Sequence, residues 1–265
     1  MSVHIFPTDG EEWVYSPFLV EESYFDALLK PLSKQCVVHT FKNPWTSGDY
    51  STKRLSCVYN RVQSLVNSDA KSVGFSYAKT KTLPFKKGPP ELLEIKKLLE
   101  REYRKLGSEF GRPLKGAPEG SAISTLEFDY CLVNIYRDHN DTIGMHSDTE
   151  ATYTPIASVS LGCPRTFKLE GPPGSSEMRL QSGDTVLMLP PMRKSKTSPA
   201  YKGCQNVYKH AIPPMTLKEL VLLAEERGVP LPKGRKTKDK VAEAILDHCG
   251  KDALTRINLT FRVWE

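Results

Sequence analysis

The sequence predicts a mainly β domain with flanking helices, an α+β fold interrupted late in the chain by a helical hairpin. Three observations carry this expectation. From about residue 125, short runs rich in β-branched and aromatic residues follow one another, with Gly, Pro and Ser turns between them. Several short strands at that spacing point to a β-sandwich or barrel. Helical patterns precede these runs, and two more break into them between residues 215 and 253.

In chain order, residues 21–29 form an amphipathic stretch, expected to be a helix that stops near Pro31. Residues 36–41 are short and β-like, 43–49 (Asn-Pro-Trp-Thr-Ser-Gly-Asp) have turn chemistry, and 54–59 alternate as a strand does. Residues 60–90 favour no element. Pro89-Pro90 then opens a second helix to about residue 106, with Leu93, Ile95, Leu98 and Leu99 set against charged positions. Residues 107–120 read as a loop. Strands are expected at 126–136, 156–161, 165–169, 178–181, 185–189, 207–212 and 257–264. In the interruption, Thr216 and Glu219 have the spacing of a capping box at the start of a helix that Gly228 stops. An extended basic loop follows, and then a second helix over 237–249, ended by Gly250.

A chain of 265 residues accommodates one large domain, or one domain with a small appendage. No run of about 18 apolar residues occurs, so no membrane span is expected. The acidic first 12 residues contain no apolar signal core, so an intracellular protein is expected, nuclear in a eukaryote and otherwise cytoplasmic. The six cysteines lack CxxC spacing and are expected to be reduced thiols, with no zinc or disulfide framework. Net charge is +6, and basic residues gather at 79–87, 193–202 and 233–240. Each cluster alone is as readily a solvated loop, but together they tilt toward a polyanionic partner such as nucleic acid.

The chemistry centres on residues 132–148. An apolar alternating run passes a polar turn (137–144) and ends in His146-Ser-Asp148. In one extended segment those two side chains share a face and offer two thirds of a 2-His-1-carboxylate iron(II) triad. Among the other histidines, His210 lies on a predicted strand, whereas His4 and His39 lie far upstream, His139 is in the turn and His248 is in the helical insert. On the last strand, Arg256, Asn258, Thr260 and Arg262 share one face by period two, a polar surface suited to a dianion. Asn134 and Tyr136 likewise share a face.

These residues resemble the AlkB-type family of iron(II)- and 2-oxoglutarate-dependent dioxygenases, near its nucleic-acid alkylation-repair members. The resemblance rests on Asn134-x-Tyr136, His146-x-Asp148, residues 156–161 followed by Arg165-Thr-Phe167, Gly183-Asp184, His210 with Ile212-Pro213, and Arg256-x-Asn258-x-x-x-Arg262. It implies a double-stranded β-helix (jelly roll) core over 126–214 and 254–265, with an N-terminal helical and substrate-lid region over 1–125. It implies Fe(II) held by His146, Asp148 and His210, and 2-oxoglutarate held by Asn134, Tyr136, Arg256, Asn258 and Arg262, with Arg256 on the distal carboxylate. With O2, such enzymes convert 2-oxoglutarate to succinate and CO2 and hydroxylate an N-alkyl carbon, which leaves as an aldehyde. The partner implied is DNA carrying alkylated bases, with RNA as the alternative; a monomer is expected. Phe41, Arg54, Tyr59, Tyr77 and Arg165 are the candidate substrate contacts, with Trp45 as a further aromatic candidate; core packing for the aromatic residues, and a carboxylate partner for Arg165, are the plain alternatives. Asp184 is assigned to a turn. The 215–253 hairpin resembles SAP-like nucleic-acid-binding modules through its hydrophobic spacing and its Gly228-Val-Pro-Leu-Pro-Lys-Gly-Arg235 loop. Two other readings remain: the same chemistry on a protein or small molecule, and a nucleic-acid-binding protein that has lost catalysis.

Overall fold

A computed structural model describes residues 4–5, 13–42, 49–60, 74–77, 81–110, 127–148, 155–171, 174–188 and 208–263. Among these residues the strands form two principal sheets and a small hairpin. The larger sheet runs in the order β1 (His4–Ile5), β2 (Trp13–Ser16), β13 (Thr185–Met188), β10 (Ile156–Gly162), β15 (Arg256–Arg262), β8 (Tyr130–Tyr136), β5 (Leu55–Asn60), β7 (Lys81–Lys86) and β6 (Gly74–Tyr77). The smaller sheet runs β12 (Gly174–Leu180), β11 (Arg165–Gly171), β14 (Lys209–Ile212) and β9 (Ile143–His146). Strands β3 (Thr40–Lys42) and β4 (Asp49–Ser51) pair with each other. The strands pair antiparallel, apart from β5 with β7. This is the double-stranded β-helix, with the chain passing back and forth between the two sheets.

Alternation along the central strands decides what lies on each side of the larger sheet. Ile257, Leu259 and Phe261 of β15 join Val133, Ile135, Val159 and Leu161 in one apolar cluster. That cluster is closed by Leu28 and Leu32 of helix α1 (Tyr24–Gln35) and by Ile95, Leu99 and Tyr103 of helix α2 (Pro90–Phe110). The opposite face looks across to the smaller sheet. There Tyr136, Ile156, Val186 and Met188 meet Phe167, Leu169, Tyr208 and Ile212. Asp184 serves the turn as expected: it accepts from the Tyr15 hydroxyl and from the backbone N–H groups of Phe18 and Gln181. Gly162 turns the chain from β10 to β11 at φ 84°, where a Cβ would meet the Phe25 ring at 2.3 Å and the Thr255 carbonyl at 2.6 Å.

Three expectations need correction. Helix α1 does not stop at Pro31 but runs through it to Gln35. Proline removes one N–H and crowds the preceding turn, yet the burial of Leu28 and Leu32 on either side holds the helix against the sheet. The expectation of six reduced thiols fails for one pair, since Cys36 and Cys57 are joined in a disulfide. Val37 and Ser56 form a reciprocal backbone bridge, which brings the neighbouring cysteine Cα atoms to 4.7 Å. Nothing in a separation of 21 residues announces that pairing. The region 60–90, which favoured no element, contributes β6 and β7 to the larger sheet. The turn at 43–48 with Trp45, the loop beyond residue 110 and the basic loop at 191–202 lie outside the described residues.

The helical insert comprises α3 (Leu217–Glu226) and α4 (Lys238–Cys249). The capping box is formed, with Thr216 accepting from the Glu219 N–H and Glu219 accepting from the Thr216 N–H. Gly250 ends α4 at φ 95°. Leu220, Leu223, Ala224, Val241, Ala242 and Ile245 of the hairpin pack with Val229 and with Cys163, Met215 and Leu254 of the adjoining chain. Polar ties add to this: Thr166 to Glu219, Arg179 to Glu226, and Arg227 Nη1 to the Ala253 carbonyl at 2.8 Å. No helix among the described residues is long and apolar enough to cross a membrane.

The packing of the insert sets a stability prediction. Truncating fully buried Leu220 to Ala should lower unfolding free energy by about 2–5 kcal/mol. Urea denaturation measures it, and a loss below about 1 kcal/mol would show that the hairpin does not share a core with the barrel.

Candidate metal centre

His146 closes β9 and His210 lies in β14, and their Cα atoms are register partners across the smaller sheet. Pairing directly opposite puts the two imidazoles side by side, tilted by 52° with ring centroids 4.4 Å apart. Asp148, two residues beyond the strand, turns back to them. Its Oδ1 is 3.8 Å from His146 Nε2, and its Oδ2 is 3.6 Å from His210 Nε2. One ligand atom from each of the three lies within 4.8 Å of the others. The sequence left the third ligand open on residue spacing alone, and the register supplies His210.

The protonation states suit a metal. His146 Nδ1 lies 2.8 Å from the Gly144 carbonyl, and only an N–H can donate to a carbonyl. Nδ1 therefore carries a hydrogen, and Nε2 is the ring nitrogen nearer Asp148. Burial, and then the neighbouring His146, push the His210 pKa down to about 3, against the pull of Asp148. It is neutral at physiological pH. Burial alone would raise the Asp148 carboxyl, but Arg262, His210 and His146 together hold it well below the usual carboxylate range. Arg262 Nη2 is 2.9 Å from Asp148 Oδ1. Two imidazoles and one carboxylate, brought together around a shared space, fit iron(II) with open positions.

The polar face of β15 continues from this centre. Register puts Arg256 opposite Tyr136 and Asn258 opposite Asn134 on β8, and Asn258 opposite Ser160 on β10. The Arg256 guanidinium is 1% exposed, lies 5.2 Å from the Tyr136 ring centroid, and donates from Nη2 to Ser160 Oγ at 2.9 Å. Its Nε and Nη1 are buried without a protein acceptor. Burial lowers its pKa to about 10, which leaves it a cation at neutral pH. A buried guanidinium with two unused donors fits the carboxylate of a bound acid. Asn134 Oδ1 accepts from Arg54 Nε and from Ser56 Oγ, both at 2.8 Å. That fixes the amide so that Nδ2 is the group left to donate. Asn258 donates through Nδ2 to Ser158 Oγ and the Val159 carbonyl, and its Oδ1 accepts from Thr260. Most of its capacity is spent inside the sheet.

The substrate candidates divide. Arg165 does not reach a substrate: it is 1% exposed, stacks over Tyr136, and donates to the carbonyls of Asp138, Asp141 and Pro213. It clamps the turn that leads to the iron strand. Tyr59 is a core residue, 3% exposed in the cluster under α2. Arg54 is buried on Asn134, and its Nη1 reaches the Thr142 carbonyl at 3.5 Å, so it bridges the sheets rather than meeting a base. Phe41 is half-buried on β3 and pairs across the hairpin with exposed Tyr50. Tyr77 falls on β6, and its side chain lies outside the described residues.

Sequence reasoning missed Ser56, Ser158 and Ser160. The Ser158-x-Ser160 alternation in an otherwise apolar strand was a readable sign of a polar face. The role of Ser56 depends on its pairing opposite Asn134, which no local pattern shows.

Comparison with known proteins agrees with this geometry. No curated protein matches the chain in sequence. A solved structure entitled "The structure of OsALKBH1" is similar in fold, with a TM-score of 0.52 and 17% identity, over 99% of this chain and 100% of that one. Residues 23–262, which include all three metal ligands and the whole of β15, match the family model described as the 2OG-Fe(II) oxygenase superfamily, and the chain belongs to that superfamily.

Proposed function

We propose that this iron- and 2-oxoglutarate-dependent dioxygenase removes N-alkyl groups from bases of DNA, or alternatively RNA, by direct oxidative reversal. The observation that carries the chemistry is the His146, Asp148 and His210 cluster, set on the same polar floor as a buried Arg256 with two unused donors. In this reading His146 Nε2, Asp148 and His210 Nε2 hold the iron. Arg256 takes the distal carboxylate of 2-oxoglutarate, Asn134 Nδ2 and Tyr136 line it, Asn258 stiffens the floor, and Arg262 keeps Asp148 ionised. Bound together, iron, 2-oxoglutarate and O2 supply an oxidant able to hydroxylate a C–H bond, with succinate and CO2 as co-products. The chain surrounds that space with buried side chains, which exclude water from the reacting groups.

The substrate assignment is supported by the β3–β4 hairpin. His39, at its root, is bound to the Ser56 carbonyl, and Thr52 accepts from the His39 N–H. Beside it, Arg54 spans from Asn134 to the residue before β9. Strand β9 is the edge of the smaller sheet and carries His146, and the Thr142 N–H just before it donates to the carbonyl of Lys53, two residues beyond β4. Aromatic faces suit a base turned out of its stack. Net charge of +6 suits a polyanion.

Three outcomes are expected. His210→Ala should weaken Fe(II) or Mn(II) binding by more than about 100-fold, beyond what loss of an outer hydrogen bond does; bound metal after dialysis is the readout, and full retention would move the metal elsewhere. Arg256→Lys should raise the 2-oxoglutarate dissociation constant on the order of tenfold, because a lysine cannot form the bidentate pair. Anaerobic titration of the Fe(II) protein measures it, and an unchanged constant would mean that another residue anchors the acid. Finally, an oligonucleotide carrying N1-methyladenine should lose the methyl mass and release formaldehyde in step with succinate. Succinate without any loss from the oligonucleotide would redirect the enzyme to a protein or small-molecule substrate.

A further inference from the structure

His146 and His210 meet through an irregularity in the pairing of β9 with β14. Ile143 lies opposite Ile212 and His146 opposite His210, with a shift of register between the two pairs. Over that interval β14 advances two residues and β9 three, so Gly144 and Met145 together face Ala211. Such a β-bulge re-aims the side chains beyond it. Regular pairing from Ile143 would put Met145 opposite His210 and turn His146 to the other face of the sheet. The extra residue therefore makes the histidine pair.

That register needs a fastening. Strand β9 is four residues long, and its sheet neighbour among the described residues is β14 alone. None of its four residues is fully buried, so burial specifies its register weakly. Glycine freedom does not fix the bulge either. Gly144 has no left-handed backbone, and a Cβ there would meet no atom within 4 Å. Two hydroxyls hold the strand instead. Thr142, just before β9, donates from Oγ1 to the Ile212 carbonyl at 2.6 Å. Ser147, just after β9, donates from Oγ to the Tyr208 carbonyl at 3.1 Å. One bond lies on each side of the histidine pair, and both end on the backbone of the segment that carries His210. Thr142 is itself held in place. Its N–H donates to the Lys53 carbonyl at 3.3 Å, and its carbonyl accepts from Arg54 Nη1 at 3.5 Å.

We propose that Thr142 and Ser147 are positioning residues of the metal centre. Their hydroxyls fasten the bulged edge strand to β14 and so keep His146 opposite His210. Neither touches the metal. Ser147 stands between two ligands in the chain and spends its hydroxyl on the strand of the third. The inference rests on the metal reading above and adds the device that brings the ligands into register.

The test uses the full chain, with Mn(II) for affinity and Co(II) for ligand geometry. Thr142→Val and Ser147→Ala each remove a hydroxyl with little change of shape, and Thr142→Ser keeps one. The variant carrying both Thr142→Val and Ser147→Ala should bind Mn(II) roughly 10- to 100-fold more weakly by calorimetric titration, the range for losing partners that orient a ligand. Its Co(II) visible spectrum should change. In the metal-free protein, amides of residues 143–147 should exchange faster by roughly two- to tenfold for each hydroxyl removed. Thr142→Ser should match the wild type in all three. Thermal unfolding checks that the variants are folded, and the single variants are read if the double one is not. Unchanged Mn(II) affinity in the hydroxyl-free variants overturns the proposal. So does weaker binding with an unaltered Co(II) spectrum and unaltered exchange over 143–147, which assigns the loss to general destabilisation. An equal loss in Thr142→Ser overturns the role of the hydroxyl. Failure of the metal reading itself looks different: the wild type then binds no Mn(II), and the inference falls with it.

Discussion

Three arginines between the two sheets govern the rest of the structure. Arg165, Arg256 and Arg262 are among the largest fully buried side chains of the protein. Removing a guanidinium from water costs several kcal/mol unless anions or dipoles replace the solvent. Each of the three has a different solution. Arg262 has Asp148, Arg165 has three backbone carbonyls, and Arg256 has one serine hydroxyl and two donors still unused. The first solution charges the metal ligand, the second fixes the turn that delivers it, and the third suits an acid from outside the chain. Tyr136 lies against both Arg256 and Arg165, so one ring packs on the guanidinium with unused donors and on the one that clamps the turn.

The helical hairpin breaks the chain between β14, in the smaller sheet, and β15, in the centre of the larger one, yet it leaves the metal site intact. The break occurs where the chain must pass between sheets. Both ends of the hairpin are secured there: the Met215 N–H on His139, and the Thr255 carbonyl accepting from the Cys163 N–H. The hairpin brings its own apolar core and adds Cys163 and Leu254 to it. An element that satisfies its own helix ends and buries its own apolar face adds no unpaired polar group to the barrel.

What could be read from the sequence divides along physical lines. Period-two alternation exposed β8, β10 and β15 and correctly grouped Arg256, Asn258 and Arg262 on one face, because a strand imposes its period locally. Capping chemistry located α3 and α4 for the same reason. The Cys36–Cys57 bridge, the passage of α1 through Pro31 and the roles of Arg54 and Arg165 are set by partners 21 to 88 residues away or by burial against a sheet. Arg165 illustrates the limit. An arginine after an apolar strand reads equally as a substrate contact and as an internal clamp, and only the position of the 138–141 carbonyls decides. Tyr59 is similar: an aromatic in an alternating strand belongs to whichever side the helices cover.

Asn134 shows why a motif names a residue without explaining it. An amide can present either its oxygen or its nitrogen to a ligand, and the sequence does not distinguish them. Here Arg54 Nε and Ser56 Oγ both donate to Oδ1, so the orientation that leaves Nδ2 free to donate elsewhere is the one that satisfies all three groups. A reversed amide would set Nδ2 against two donors deep in the protein, which costs the lost bonds and leaves buried donors unpaired. Ser56 lies on β5 and Arg54 just before it, and the backbone of β5 also carries the root of the β3–β4 hairpin through the His39 contact with the Ser56 carbonyl. The strand that orients the Asn134 amide is thus the strand that supports the β3–β4 hairpin. The orientation of Asn134 and the placement of the Phe41–Tyr50 pair are consequently joined through one short strand rather than arranged by independent loops.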